Sequence, residues 1–218
     1  MKEGFNMKML ILGAAGQISK MVTELILTET DHELVLYGRN LSSRISVKDP
    51  TREVIIEGDF NDQDKLKQAL IGVDIAYLND MSSPDATQAI VEAMEESGVN
   101  YLIGANVLGI YNEVAGAFGE WNTSMVGSTA TQKYLKAAEV VEQSSLDYVI
   151  LRLTWLYNQT GNEDYVLTEK GESFVGAQVT REAVARLITT IIHDSDKYAK
   201  TSLGVSEPDT DWAKPSFY

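Results

Sequence analysis

Met7-Lys8-Met9-Leu10-Ile11-Leu12-Gly13-Ala14-Ala15-Gly16-Gln17-Ile18 reads as a buried strand that breaks on a glycine-rich turn and runs straight into a helix. A phosphate group is held by that geometry. Glycine lets the backbone turn sharply and approach a ligand closely. The helix N-terminus then presents free N–H groups and a partial positive charge to an anion. Ser19 stands where a third glycine is common, and it is small enough for close helix–strand packing.

Working outward, strands and helices alternate. Residues 16–28 carry Ile18, Met21, Val22, Leu25 and Ile26 at helical spacing. Strands are expected at Glu33–Tyr37, Glu53–Glu57, Val73–Leu78, Val99–Gly104 and Leu146–Leu153. Helices are expected at 62–71, from Pro84 to Ser97 with Gly98 closing it, and at 125–144. A loop is expected over 105–122. Beyond Leu153 the pattern is mixed: a loop near 158–163, strand fragments near 165–167 and 173–179, a helix at 181–193, then a tail with Pro208 and Pro215. This alternation predicts an α/β fold with a doubly wound parallel sheet. One domain spans 1–218, with about 155–218 expected as a small C-terminal lid that also shapes a substrate pocket.

Composition narrows the function. The net charge of −14 argues against nucleic acid or an anionic membrane as partner, since both need a basic surface. It leaves room for a phosphate-bearing cofactor in a local positive pocket and for a small-molecule substrate. No stretch approaches the ~20 apolar residues of a membrane span, and Met1–Asn6 has no apolar leader segment. Zero cysteines exclude disulfides, thiolate metal sites and a cysteine nucleophile, and fit a cytoplasmic protein. His32 and His193 are the only histidines and lie far apart in the chain, so no metal site and no Ser–His triad are expected.

In such a sheet, ligands bind beyond the carboxyl ends of the strands. After the first strand stand Gly13, Ala15, Gly16, Gln17 and Ile18. The second strand ends Tyr37-Gly38-Arg39-Asn40, with no acid for the ribose hydroxyls of NAD. Arg39, helped by Arg44, suits a ribose 2′-phosphate, so NADP is favoured over NAD. After the third strand, Asp59 is placed to accept from an adenine amino group, with Phe60 over the base; Asp59 is equally suited to cap a helix before Asn61-Asp62. Asn79 follows the fourth strand, Asn106 and Leu108 the fifth, and Leu153-Thr154-Trp155-Leu156 end the sixth beside the nicotinamide position. Trp121, Trp155 and Trp212 either line a substrate pocket or pack in the core.

Gly13–Ile18, Gly58-Asp59-Phe60 and the run from Leu146 to Leu156 together resemble the atypical short-chain dehydrogenase/reductases, and within them the NmrA-like NAD(P)H-binding group. The likeness covers residues 7 to about 195 and implies a Rossmann fold and a bound dinucleotide. The family usually has proline where this chain has Leu153, and a serine where Gly104-Ala105-Asn106-Val107-Leu108 stands. Its catalytic Tyr-x-x-x-Lys pair is missing: Gln132 precedes Lys136, Thr129 precedes Lys133, and Ala138 follows Tyr134 at that spacing. Lys136 is retained as a ribose-binding and catalytic candidate, with Tyr111, and after it Tyr134, as candidate proton donors. The expected function is an NADP(H)-binding oxidoreductase acting on a small carbonyl, quinone or flavin-like acceptor. The alternative is a non-catalytic NADP-binding redox sensor acting through a protein partner. A sugar-nucleotide epimerase relative is a third reading, for which the short C-terminal part leaves little room.

Overall fold

The computed structural model describes residues 6–218; Met1–Phe5, read above for a leader, lie outside the described residues. In chain order the elements are β1 (Lys8–Leu12), α1 (Gln17–Glu29), β2 (Glu33–Gly38), a 3₁₀ turn (Leu41–Ser43), β3 (Glu53–Glu57), α2 (Gln63–Ala69), β4 (Ile75–Leu78), α3 (Pro84–Ser97) and β5 (Tyr101–Val107). There follow α4 (Gly116–Val126), α5 (Ser128–Glu142), β6 (Asp147–Leu153), β7 (Trp155–Tyr157), β8 (Val166–Thr168), β9 (Gln178–Thr180), α6 (Arg181–His193), α7 (Ser195–Tyr198) and β10 (Thr201–Ser206). Eight strands form one sheet in the order β3-β2-β1-β4-β5-β6-β10-β8, and β7 pairs with β9 in a small second sheet. Every pair in the large sheet is parallel except β10 with β8. The direction of winding reverses between β1 and β4, which opens a crevice at their carboxyl ends.

Two apolar layers sandwich the sheet. On one face α1 and α6 pack together over Met9, Ile11 and Leu151; on the other, α2, α3 and α5 cover Leu10, Leu12 and Ile150. Leu10, Ile11 and Leu12 are fully buried, as a strand covered on both faces requires. In α6, Leu187, Ile188, Ile191 and Ile192 are buried at helical spacing, each contributing about 1.5–3 kcal/mol of burial. Local chemistry sets the helix ends. The Ser83 hydroxyl caps α3 by accepting from the Ala86 N–H, Pro84 occupies the first turn, and Gly98 ends the helix at φ +72°.

Three expectations need correction. The helix expected over 125–144 is two helices, because Gly127 at φ +75° interrupts it. The expected 105–122 loop is shorter, since α4 starts at Gly116; its Gly119 admits the Val114 carbonyl, which a Cβ would strike. The tail holds a strand, β10, that lies inside the main sheet between β6 and β8. Residues after 155 therefore build sheet and helix layer as well as covering the strand ends.

Candidate functional site

The β1–α1 turn is built around Gly13, at φ +85°. The Gly13 and Ala14 N–H groups both donate to the Tyr37 carbonyl, at 2.9 and 3.2 Å, which locks the turn to β2. Gly16 begins α1 without a side-chain cap, and the first turn holds no acid. By contrast α2, α3 and α6 are capped by the side chains of Asp62, Ser83 and Thr180. The opening amides of α1 are thus left for an external anion. Gly16 has an ordinary φ of −64°; its missing side chain serves Asn79, whose amide lies where a Cβ would go. Ser19 is fully buried under the turn.

On one side of this turn opens a cavity of about 330 Å³ lined by Gly13, Ala15, Gly16, Arg39, Arg44, Asp59, Phe60 and Asn79. The Arg39 side chain is 77% exposed and sits 4.0 Å from the Asp59 carboxylate, a contact loose enough to yield to a phosphate. Asp59 Oδ1 accepts from the Asn61 N–H and Nδ2, both at 2.9 Å, and these bonds hold its carboxyl below the usual range. The helix cap is Asp62, not Asp59. Phe60 stacks on Tyr37 with ring centroids 6.0 Å apart, and the Tyr37 hydroxyl donates to the Asp59 carbonyl at 2.7 Å. Burial first, then Asp62 and Asp59, push the Tyr37 phenol up to about 12, so it stays a neutral donor. Gly58 must be glycine because a Cβ would collide with that hydroxyl.

On the other side lies a cavity of about 230 Å³, with Gln17, Ile18, Asp80, Asn106, Tyr134, Leu153, Thr154, Leu156 and Arg181 on its walls. Asn79 borders both cavities. Asn106 is buried; its Nδ2 donates to the Tyr134 carbonyl at 3.1 Å, tying β5 to α5. The Tyr134 hydroxyl donates to Asp80 Oδ1 at 3.0 Å. Burial, then the Asp80 charge, push that phenol up to about 12. One helical turn on, where a lysine would lower it, stands buried Ala138. The Thr154 hydroxyl is spent on the Gly176 carbonyl at 3.1 Å.

The two catalytic candidates do not meet in this cavity. Lys136 is exposed and lines a separate surface hollow with Ser128, Thr129, Gln132 and Lys133. Ala137, Ala138 and Val141 form the inner face of α5, which Tyr134 shares and Lys136 does not. The Tyr111 hydroxyl donates to Glu142 Oε1 at 2.6 Å, with Lys170 Nζ 4.2 Å from its ring centre, and burial raises its pKa. It belongs to a cluster around the buried Arg152–Glu113 ion pair, which is 2.7 Å long. Arg152 also donates to the Thr168 and Ser202 carbonyls, and Glu113 accepts from the Gly109 and Tyr111 amides. This pair sets the loop after β5. Leu108 packs with Phe118 and Phe174 instead of facing the crevice.

Trp121 and Trp155 pack against each other at a 54° tilt with ring centroids 4.8 Å apart, Tyr218 lies edge-on to both, and Trp212 is exposed. The histidines, distant in sequence, lie 6.2 Å apart at the other end of the sheet, where His32 Nδ1 accepts from the Met7 N–H. Among the described residues no group of three or more metal-ligating side chains forms. Arg181, not among the residues expected from the sequence, also lines the cavity that holds Tyr134. Its Nη1 donates to Asn158 Oδ1 at 3.2 Å, and Asn158 Nδ2 donates to Gln17 Oε1 at 3.2 Å. A basic residue opening a helix, against the helix dipole, was the available signal.

A turn with free helix amides, a paired-arginine pocket beside it and a topological switch point define a dinucleotide-binding Rossmann protein. A family profile described as NAD(P)H-binding matches residues 13–195. The chain belongs to that NAD(P)H-binding family. It is similar to a short-chain dehydrogenase/reductase from Veillonella parvula DSM 2008 whose crystal structure is in complex with NADP. The two share 39% identity and a TM-score of 0.93, over 97% of this chain and 99% of that one. It is also similar to a Rossmann-fold NAD(P)-binding family protein from Shigella flexneri, at 32% identity and a TM-score of 0.81, over 97% and 99% of the two chains. ChuY, an anaerobilin reductase from Escherichia coli O157:H7, shares the fold at 20% identity, with a TM-score of 0.72 over 96% of this chain and 100% of ChuY. Comparison with curated proteins gives no match.

Proposed function

We propose that the protein is an NADP(H)-dependent reductase of a small conjugated acceptor, of the quinone or flavin type, in preference to simple ketones. The observation that carries this reading is the Tyr134 hydroxyl, committed to Asp80 with Ala138 where a lysine would activate it. Ketone reduction needs an acid at the forming alkoxide. A quinone takes a hydride and becomes a stabilised anion, which water protonates to the hydroquinone. NADPH, when bound, supplies that hydride. This chain's residues orient the two partners: the α1 amides take the pyrophosphate, Arg39 and Arg44 the 2′-phosphate, and Phe60 with Asp59 the adenine. Leu153, Leu156 and Ile18 supply an apolar floor for the acceptor. The segment after residue 155 contributes Leu156 and Arg181 to that pocket. The motifs at Gly13–Ile18 and Gly58–Phe60 support placement in the NmrA-like group, and the absence of cysteine supports a cytoplasmic setting.

The test is NADPH oxidation followed anaerobically against quinones, flavins and aldehydes. Turnover of quinones or flavins but not aldehydes is expected. Silence across the panel with NADPH still bound would favour the sensor reading, which the missing acid–lysine pair also supports.

A further inference from the structure

The proposed acceptor cavity holds a cation that has no counter-ion among the described residues. Arg181 is half-buried, and among the described residues no carboxylate lies within 4.0 Å of it. Among the described residues its one acceptor is Asn158, reached through Nη1, and Nε and Nη2 find none. The neighbouring Glu182 is turned away, its carboxylate accepting from the Gly161 amide at 2.7 Å. Nor does Asp80, the acid on the same walls, reach it; Asp80 is occupied by the Tyr134 hydroxyl and by the amide and hydroxyl of Ser82. The residue is the first of α6, where the helix dipole opposes a positive charge. Burial lowers its pKa with no anion to offset the loss. In a chain of net charge −14, acidic partners are plentiful, yet none of the described ones is recruited here. A guanidinium held half out of water, unpaired and against a dipole, costs stability unless an external anion completes it.

We propose that Arg181 is the anion subsite of the acceptor pocket, so that the preferred acceptor is a planar conjugated molecule carrying a carboxylate. This rests on the reductase reading above. The ring would lie on Ile18, Leu153 and Leu156, and the carboxylate would take the free edge of the guanidinium in a two-point bond. Asn158 and Gln17 hold that edge in place, as positioning residues. The competing source of an anion is the cofactor itself, because Gln17 opens α1 where the pyrophosphate is expected.

The experiment compares a naphthoquinone carboxylate with its methyl ester in the wild type, R181Q and R181K, with NADPH affinity measured by calorimetry. In R181Q the ratio of kcat/KM for carboxylate over ester is expected to fall at least about tenfold, with NADPH affinity unchanged. R181K should fall between, keeping the charge but losing the fork. An unchanged ratio, or a loss of NADPH affinity in place of it, overturns the proposal. If the wild type reduces neither of these quinones nor any flavin, the reductase reading fails by itself. Binding of the carboxylate to the NADP⁺ complex then decides: binding that R181Q abolishes upholds the subsite, and no binding or equal binding overturns it.

Discussion

The two halves of the crevice share Asn79 but are built on different rules. The half proposed for adenosine is built largely on backbone, with glycines, free helix amides and a carbonyl-locked turn, and adds the side chains of Arg39, Arg44, Asp59 and Phe60 around it. The acceptor half consists of side chains already bonded to one another: Tyr134 to Asp80, Asn106 to the Tyr134 carbonyl, Thr154 to Gly176. Backbone sites depend on glycine spacing and little else. Side-chain sites can be rewired residue by residue, and here the phenol on the inner face of α5, Tyr134, is tied up in a bond to Asp80. On the proposed reading, cofactor binding and acceptor chemistry rest on separate sets of groups in this chain.

That separation can be broken, most severely at Glu113. Glu113→Ala strands Arg152 as a buried unpaired charge and should cost about 3–5 kcal/mol, lowering Tm by roughly 10 °C in a thermal melt. Next comes Gly16→Val, which drives a side chain into Asn79. It should weaken NADPH by at least about tenfold in calorimetry while Tm moves little. Arg39→Glu should then shift the NADPH-to-NADH affinity ratio down by about 10- to 100-fold, since a charge-assisted phosphate contact is replaced by repulsion. Equal loss for both nucleotides would show that Arg39 does not read the 2′-phosphate.

Tyr134→Phe sharpens the comparison from the other side. A general acid is worth about 10²- to 10⁴-fold, so a change in kcat below about threefold would confirm that the phenol is spent on Asp80. The smallest effect lies at the far end of the sheet. Burial, then the nearby His193, lower the His32 pKa, so the unfolded chain takes up a proton first as pH falls below about 6.5. Stability present above that pH should decline below it, and His32→Gln should flatten the slope in urea titrations at pH 5 to 7.

How much was legible follows the same divide. The β1–α1 turn, the Pro84 start and Gly98 stop of α3, and α6 over 181–193 were readable because each is decided within a few residues. The break at Gly127 was readable in principle and overlooked. β10 was not, because its alternate positions are Ser202, Gly204 and Ser206; Gly204 is small to admit Thr168 and Phe174, which come from distant parts of the chain. Lys136 was chosen for its chemistry against its phase: Ala137, Ala138 and Val141 already marked the inner face, and it lies off that face. Arg152 with Glu113 and Arg181 with Asn158 join residues 39 and 23 positions apart, and no local pattern announces such pairs.

The interior position of Arg152 limits how the molecule can be divided. Its Nη1 donates to Glu113, earlier in the chain, and its Nη2 to the Thr168 and Ser202 carbonyls, later in it; among the described residues Nε has no partner. A fragment trimmed to the first six strands would leave this cation with two of its three partners gone. Attempts to graft the glycine turn onto other scaffolds should therefore carry the whole sheet through Ser206, or replace Arg152 with an aliphatic residue first.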